Sequence, residues 1–213
     1  MAIGFDIENL KGLYSPNTAD DSLKKERARA SWDKAVLNAA ILSIVGVVTI
    51  VVSYFIGSVF TTGVNGLAFL VTAPILIAII PIATFILLFI EGFLLNAIAR
   101  FLGGKGTALE VIYLMSLISI AFLPLTFIVG LLSGIPLISC VGSIASLVIS
   151  IYALFLQYKM LMLVHSLPSD KAIISLVLFF VIILAVTFAI GALIVLFGMG
   201  AILGTGSLMK GGL

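Results

Sequence analysis

The sequence predicts an all-α fold: a polytopic membrane helix bundle with five transmembrane helices, amino terminus cytoplasmic and carboxyl terminus outside. Three observations predict it. Of 213 residues, 62% are hydrophobic and only 9% charged, where a soluble domain is nearer half and a quarter. Apolar runs of about twenty residues recur, each able to cross ~30 Å of hydrocarbon at ~1.5 Å per residue. The basic residues fall almost entirely on one side of those runs. Phe, Leu and Ile dominate without alternating in period two, which favours helices over a lipid-facing barrel.

Residues 1–34 form an amphipathic and basic tail, 35–204 a five-helix membrane domain, and 205–213 a short tail on the far side. No apolar core of the signal-peptide kind occurs in the first 34 residues. Ile3, Ile7, Leu10 and Tyr14 share one helical face, so the first segment is expected to lie on a membrane surface. Ser15-Pro16-Asn17 ends it. Thr18 and Asp21 then start a second helix that carries the basic run 24-KKERAR-29, expected to be solvated or to meet anionic lipid. Trp32 stands where an interfacial aromatic belongs.

The first span runs from Ala35 to Gly57, the second from Leu67 to Leu102 and the third from Ala108 to Val129. The fourth runs from Leu137 to Leu163 and the fifth from Ala172 to Leu203. The second and fifth exceed a straight crossing, and Pro74 and Pro81 are expected to kink the second. Lys11, Lys24, Lys25, Arg27, Arg29 and Lys34 precede the first span. Arg100 and Lys105 separate the second from the third, and Lys159 and Lys171 bracket the last turn. Only Lys210 falls opposite, so ten of the eleven basic residues share a side, which the positive-inside rule makes cytoplasmic.

The turn 103-GGKGT-107 has the look of a phosphate loop but lacks its pattern. Ala99 stands where the first Walker glycine belongs, Gly106 follows Lys105, and a membrane helix precedes it. Gly103 or Gly104 instead ends a helix in the left-handed conformation. Thr107 and Glu110 form a capping box for the next helix.

The apolar helix ending ARFLGGKGT is followed by Tyr113, Pro124, Tyr152 and the turn LVHSLPSDKA within 152-YALFLQYKMLMLVHSLPSDKA-172. In that combination, over roughly residues 20 to 200, the chain resembles the Yip1 domain family of five-span membrane proteins. The resemblance implies a cytoplasmic amino terminus. For eukaryotic members it implies trafficking between endoplasmic reticulum and Golgi, with binding of Rab-type GTPases. The short tail lacks the long Pro/Gly-rich, acidic region of those members, which points to a prokaryotic member in a cell membrane rather than in the endoplasmic reticulum or Golgi.

One histidine, His165, and one cysteine, Cys140, leave no metal-ligand or catalytic-triad pattern, so neither a cofactor nor enzymatic activity is expected. Cys140 reads as a packing residue and His165 as a turn residue at a helix end. Glu91 interrupts an otherwise uncharged run and is a functional candidate by its position; Ser116, Ser119, Gln157 and Tyr113 are its expected neighbours. Ser139, Ser143, Ser146, Ser150, Ala153 and Gln157 recur at helical spacing and are expected to form a helix-packing stripe. Ala35, Ala39, Ser43, Gly46, Ser53 and Gly57 form a second such stripe. The function expected is a non-enzymatic scaffold, a homo-oligomer being one expected form, that engages membrane lipid or a cytoplasmic protein through Glu91, Arg100, Lys105 and Glu110. Nucleic acid is not an expected partner. The alternative is a small transporter, channel or lipid-handling protein using Glu91 and the fourth-span stripe.

Overall fold

A computed structural model describes residues 6–60, 65–133, 135 and 138–209; among them regular structure is helical throughout. Two short helices, α1 (Ile7–Gly12) and α2 (Ala19–Arg27), precede five long ones. These are α3 (Trp32–Phe60), α4 (Asn65–Phe101), α5 (Ala108–Ser133), α6 (Ser139–His165) and α7 (Ser169–Met209). Each long helix contains a stretch apolar and long enough to span a bilayer, so the chain is an integral, multi-pass membrane protein. The helix ends lie within four residues of the expected spans except in α7, which runs to Met209 where Leu203 was expected; Leu137, expected to open the fourth span, lies outside the described residues.

The bundle is organised around α5. Half of its spanning stretch is buried, from Val111 to Ile118 without a break, and α3, α4 and α6 surround it. Gly92 of α4 makes room for this: a Cβ there would lie 2.4 Å from Ile112 Cγ1. α3 joins α5 through Asn38, fully buried, whose amide donates to Ser116 Oγ at 3.0 Å. Trp32 stacks on Phe89 with ring centroids 6.1 Å apart and remains half-exposed, as an interfacial aromatic does. Pro74 and Pro81 both lie inside α4, and the Pro81 carbonyl accepts the Ser43 hydroxyl at 3.3 Å. α7 packs on α4 and α6 at its start, where Ala172, Ser175 and Phe179 are buried; Leu184, Phe188 and Val195 are exposed. A helix apolar on every side suits lipid in this way.

The amino-terminal segment departs from the expected surface helix. Ile7 is 60% exposed while Asn9 and Leu13 are buried, and Ile3 lies outside the described residues. The reason is that α1 and α2 dock on α5 and α6, which turns Asn9 inward to a partner on α2. Leu13 and Leu23 are fully buried.

The fourth-span stripe also differs. Ser143, Ser146 and Ser150 are exposed, and Ser139 and Gln157 are half-buried, so no seam closes over the stripe within one chain. α3 and α6 flank α5 without packing on each other among the described residues. In α3 the first part of the corresponding stripe does pack, with Ala35, Ala39 and Ser43 buried. Cys140 is exposed rather than packed. Ser146→Leu is therefore expected to leave the melting temperature of the monodisperse chain in detergent nearly unchanged, within about 0.5 kcal/mol. A loss of ~1–3 kcal/mol, the range for overpacking, would show that a surface covers the stripe after all.

Candidate functional site

Ten basic residues gather at one end of the bundle, and its geometry starts with the α4–α5 turn. Gly103 has φ +98°, its N–H donates to the Arg100 carbonyl at 3.0 Å, and the Gly104 N–H reaches Ala99 O at 2.9 Å. These two bonds are a Schellman closure with Gly103 in the left-handed position. The turn then clamps the end of α6. The Lys105 N–H donates to the His165 carbonyl at 3.2 Å, and the Gly106 N–H donates to His165 Nδ1 at 3.1 Å. That contact places the ring proton of the neutral imidazole on Nε2. A Cβ on Gly104 would come within 2.7 Å of His165, and one on Gly106 within 2.4 Å of Val164. His165 is 1% exposed, a buried hub rather than a simple turn residue. The capping box forms as expected: the Thr107 N–H donates to Glu110 Oε2 at 3.0 Å, and the Glu110 N–H donates to Thr107 Oγ1 at 3.3 Å.

Charged groups fasten α2 to this frame. Arg27 Nε donates to Glu110 Oε1 and its Nη1 donates to the Leu163 carbonyl, both at 2.8 Å. Glu26, only 1% exposed, accepts from Asn9 Nδ2 and from the Tyr113 phenol, each at 2.6 Å. Arg29 adds an ion pair to it at 3.3 Å. Lys159 holds its ammonium 5.6 Å from the Phe155 ring centroid and meets Asp20 at 3.0 Å. Lys171 donates to the Leu102 carbonyl at 3.0 Å, covering an open end of α4.

A family model for the Yip1 domain matches residues 13–191. The chain belongs to the Yip1 domain family. No curated protein and no solved structure gives a significant match. The matched stretch of the Yip1 domain begins at Leu13, so it includes α2 and its docking contacts as well as the five spans.

Within this Yip1 domain the four residues expected to act together divide. Arg100 and Lys105 are exposed at the basic end, and among the described residues neither side chain has a hydrogen-bond or ion-pair partner. Glu110 is half-buried and held by Arg27 and Thr107. Glu91 stands apart, nine residues before Arg100, or ~13 Å of helix rise. Its expected neighbours make their hydrogen bonds elsewhere: Ser116 to Asn38 and the Tyr113 carbonyl, Ser119 to the Met115 carbonyl, the Tyr113 phenol to Glu26. The reason is rotational: the α4 face next to α5 is Gly92, which leaves Glu91 beside it. Glu26, Arg27 and Asn9 were not legible as site residues. A faint signal existed, because Ala19, Ser22, Leu23 and Glu26, all buried, follow the i, i+3, i+4, i+7 spacing of one helical face.

Proposed function

We propose that this Yip1-domain protein is a non-enzymatic membrane scaffold whose basic end faces the cytoplasm and binds a protein partner or lipid headgroups there. The observation that carries the reading is the division of labour among its cations. Arg27, Lys159 and Lys171 are engaged in holding the fold, whereas Arg100 and Lys105 project from a rigid turn with their charges uncommitted. Groups fixed on helix ends in this way suit recognition. Glu110 serves the surface by holding α2 against it. Glu91 lies too deep to share that surface, and it does not line the groove beside the fourth-span stripe, which weakens a transport reading that joins the two.

Cross-linkers at Lys105 and Pro168, both exposed, are expected to capture the same contact, and one at Asn65 is not. Gly104 is unsuitable as an attachment point because His165 fills the space beside it. Combining Arg100→Ala with Lys105→Ala should abolish that contact without altering expression or insertion. An unchanged contact would reduce the turn to a hinge. The topology has its own check: a reporter fused after Leu213 is expected to be active only outside the cytoplasm, and cytoplasmic activity would refute the orientation.

A further inference from the structure

A trough floored by α5 runs between α3 and α6. The amino-terminal segment docks alongside it, on α5 and α6. The buried Leu13 offers its carbonyl to the Tyr152 phenol at 2.9 Å. Tyr14 donates to the Ala121 carbonyl, in the turn that Pro124 loosens by lacking an N–H. The Tyr14 ring sits edge-on to Phe122. At the depth of these contacts, between α3 and α6, lies a cavity of ≈ 430 Å³, within the range of ~300–1,000 Å³ usual for ligand sites. It opens laterally, where only the bilayer or another molecule in it can enter.

Its lining is apolar except for Thr49 of α3, Ser119 and Thr126 of α5, and Ser150 and Gln157 of α6, and no charged residue takes part. The four hydroxyls already donate to carbonyls of their own helices, as Ser150 does to Ser146 at 2.8 Å. Gln157 differs. Its Oε1 is buried and has no hydrogen-bond partner among the described residues. It sits eight residues before the end of α6, a rise of ~12 Å, within the stretch of α6 apolar and long enough to span a bilayer. An unpaired amide oxygen there favours a donor brought by a ligand, which a rotation of the Gln157 side chain toward the cavity lets it reach.

We propose that this cavity binds an uncharged lipid alcohol of the diacylglycerol type, with an acyl chain along the trough and the hydroxyl on the Gln157 amide. The lateral opening and the apolar lining select a chain. The absence of charge disfavours a phosphate or ammonium head at this depth. A hydroxyl both donates and accepts, which matches an amide, and it is far less costly to bring into hydrocarbon than an ion. The site is independent of the recognition surface at the basic end.

The test uses the full chain in phosphatidylcholine vesicles with three photoactivatable, clickable probes: a diacylglycerol, its O-methyl ether, and a phosphatidylcholine. The diacylglycerol is expected to label trough peptides of α3 and α6 about threefold more than the ether, the factor an average intramembrane hydrogen bond supplies, and more than the phosphatidylcholine. Gln157→Leu removes the unpaired oxygen at similar volume, so it should equalise the alcohol and the ether without lowering the melting temperature. Gly46→Phe should abolish trough labelling by every probe, because a Cβ at Gly46 meets nothing within 4 Å and the ring can fill the cavity. Equal labelling by the three probes in the native chain overturns the proposal. So does labelling indifferent to Gly46→Phe, or a trough photo-label that joins a second polypeptide instead of lipid.

Discussion

Glu26→Ala is expected to destabilise the fold by about 3 kcal/mol and to free α2 from the bundle. Two short hydrogen bonds end on this carboxylate, from Asn9 and from the fully buried Tyr113. Hydrogen bonds to charged groups contribute roughly 1.5–3 kcal/mol each. Alanine would take this charged acceptor from both donors in a buried position, where its loss costs more than at the surface. Glu26→Gln keeps the shape but turns an amide donor toward groups that also donate, so about half the loss should remain. Thermal unfolding in detergent reads the stability, and trypsin cleavage after Lys24 and Lys25 reads the docking. Native melting together with native cleavage rates in Glu26→Ala would contradict the network's role.

Gly106→Ala should cost a comparable ~3 kcal/mol through a different route. The new methyl carbon would lie 2.4 Å from Val164 Cγ1, 2.7 Å from the Val164 carbonyl and 3.0 Å from His165 Nδ1. The carbonyl belongs to the last turn of α6 and cannot rotate away. The turn must lift, which strains packing by ~1–3 kcal/mol and breaks the Lys105 and Gly106 N–H contacts to His165 at about 1 kcal/mol each. Gly46→Ala is the control of opposite sign. It enters open space in mid-helix, where replacing glycine by alanine stabilises by roughly 0.5–1 kcal/mol. Melting temperatures that move in the same direction for both variants would refute the clamp.

The elements that local chemistry specifies were legible. Spans follow from length and apolarity, and the α4 end, the Gly103 reversal and the Thr107–Glu110 box follow from residue types a few positions apart. The arrangement of the spans was not legible, because in lipid an apolar face carries no information about which side meets protein. Mean hydropathy does not identify the central helix either: α5 at 2.3 is buried over half its spanning stretch, while α6 at 2.1 is 11% buried. The docking of α2 was hidden for another reason. Glu26 sits in the run KKERAR and reads as solvated, and its acceptor role depends on Tyr113, which is 87 positions away. Arg100 and Lys105 stand exposed at the end of α4 and in the turn after it, whereas Glu91 could be assigned a depth but not a facing direction.

The docked amino-terminal segment has a consequence for biosynthesis. Its fastenings to the fourth spanning helix, Leu13 with Tyr152 and Asp20 with Lys159, each join residues 139 positions apart. The segment emerges before the helices it docks on, yet the surface that receives it is complete only once Lys159 of α6 has been made. Until then Glu26, Leu13 and Leu23 have nowhere to go, and the segment waits unfolded while the helices insert one after another. Chains grow at about 5–20 residues per second, so the wait lasts on the order of ten seconds. Closure of the tail is then a late step that reports whether the third and fourth spans have come together, and a nascent chain halted within α6 would still present Lys24 and Lys25 to a protease.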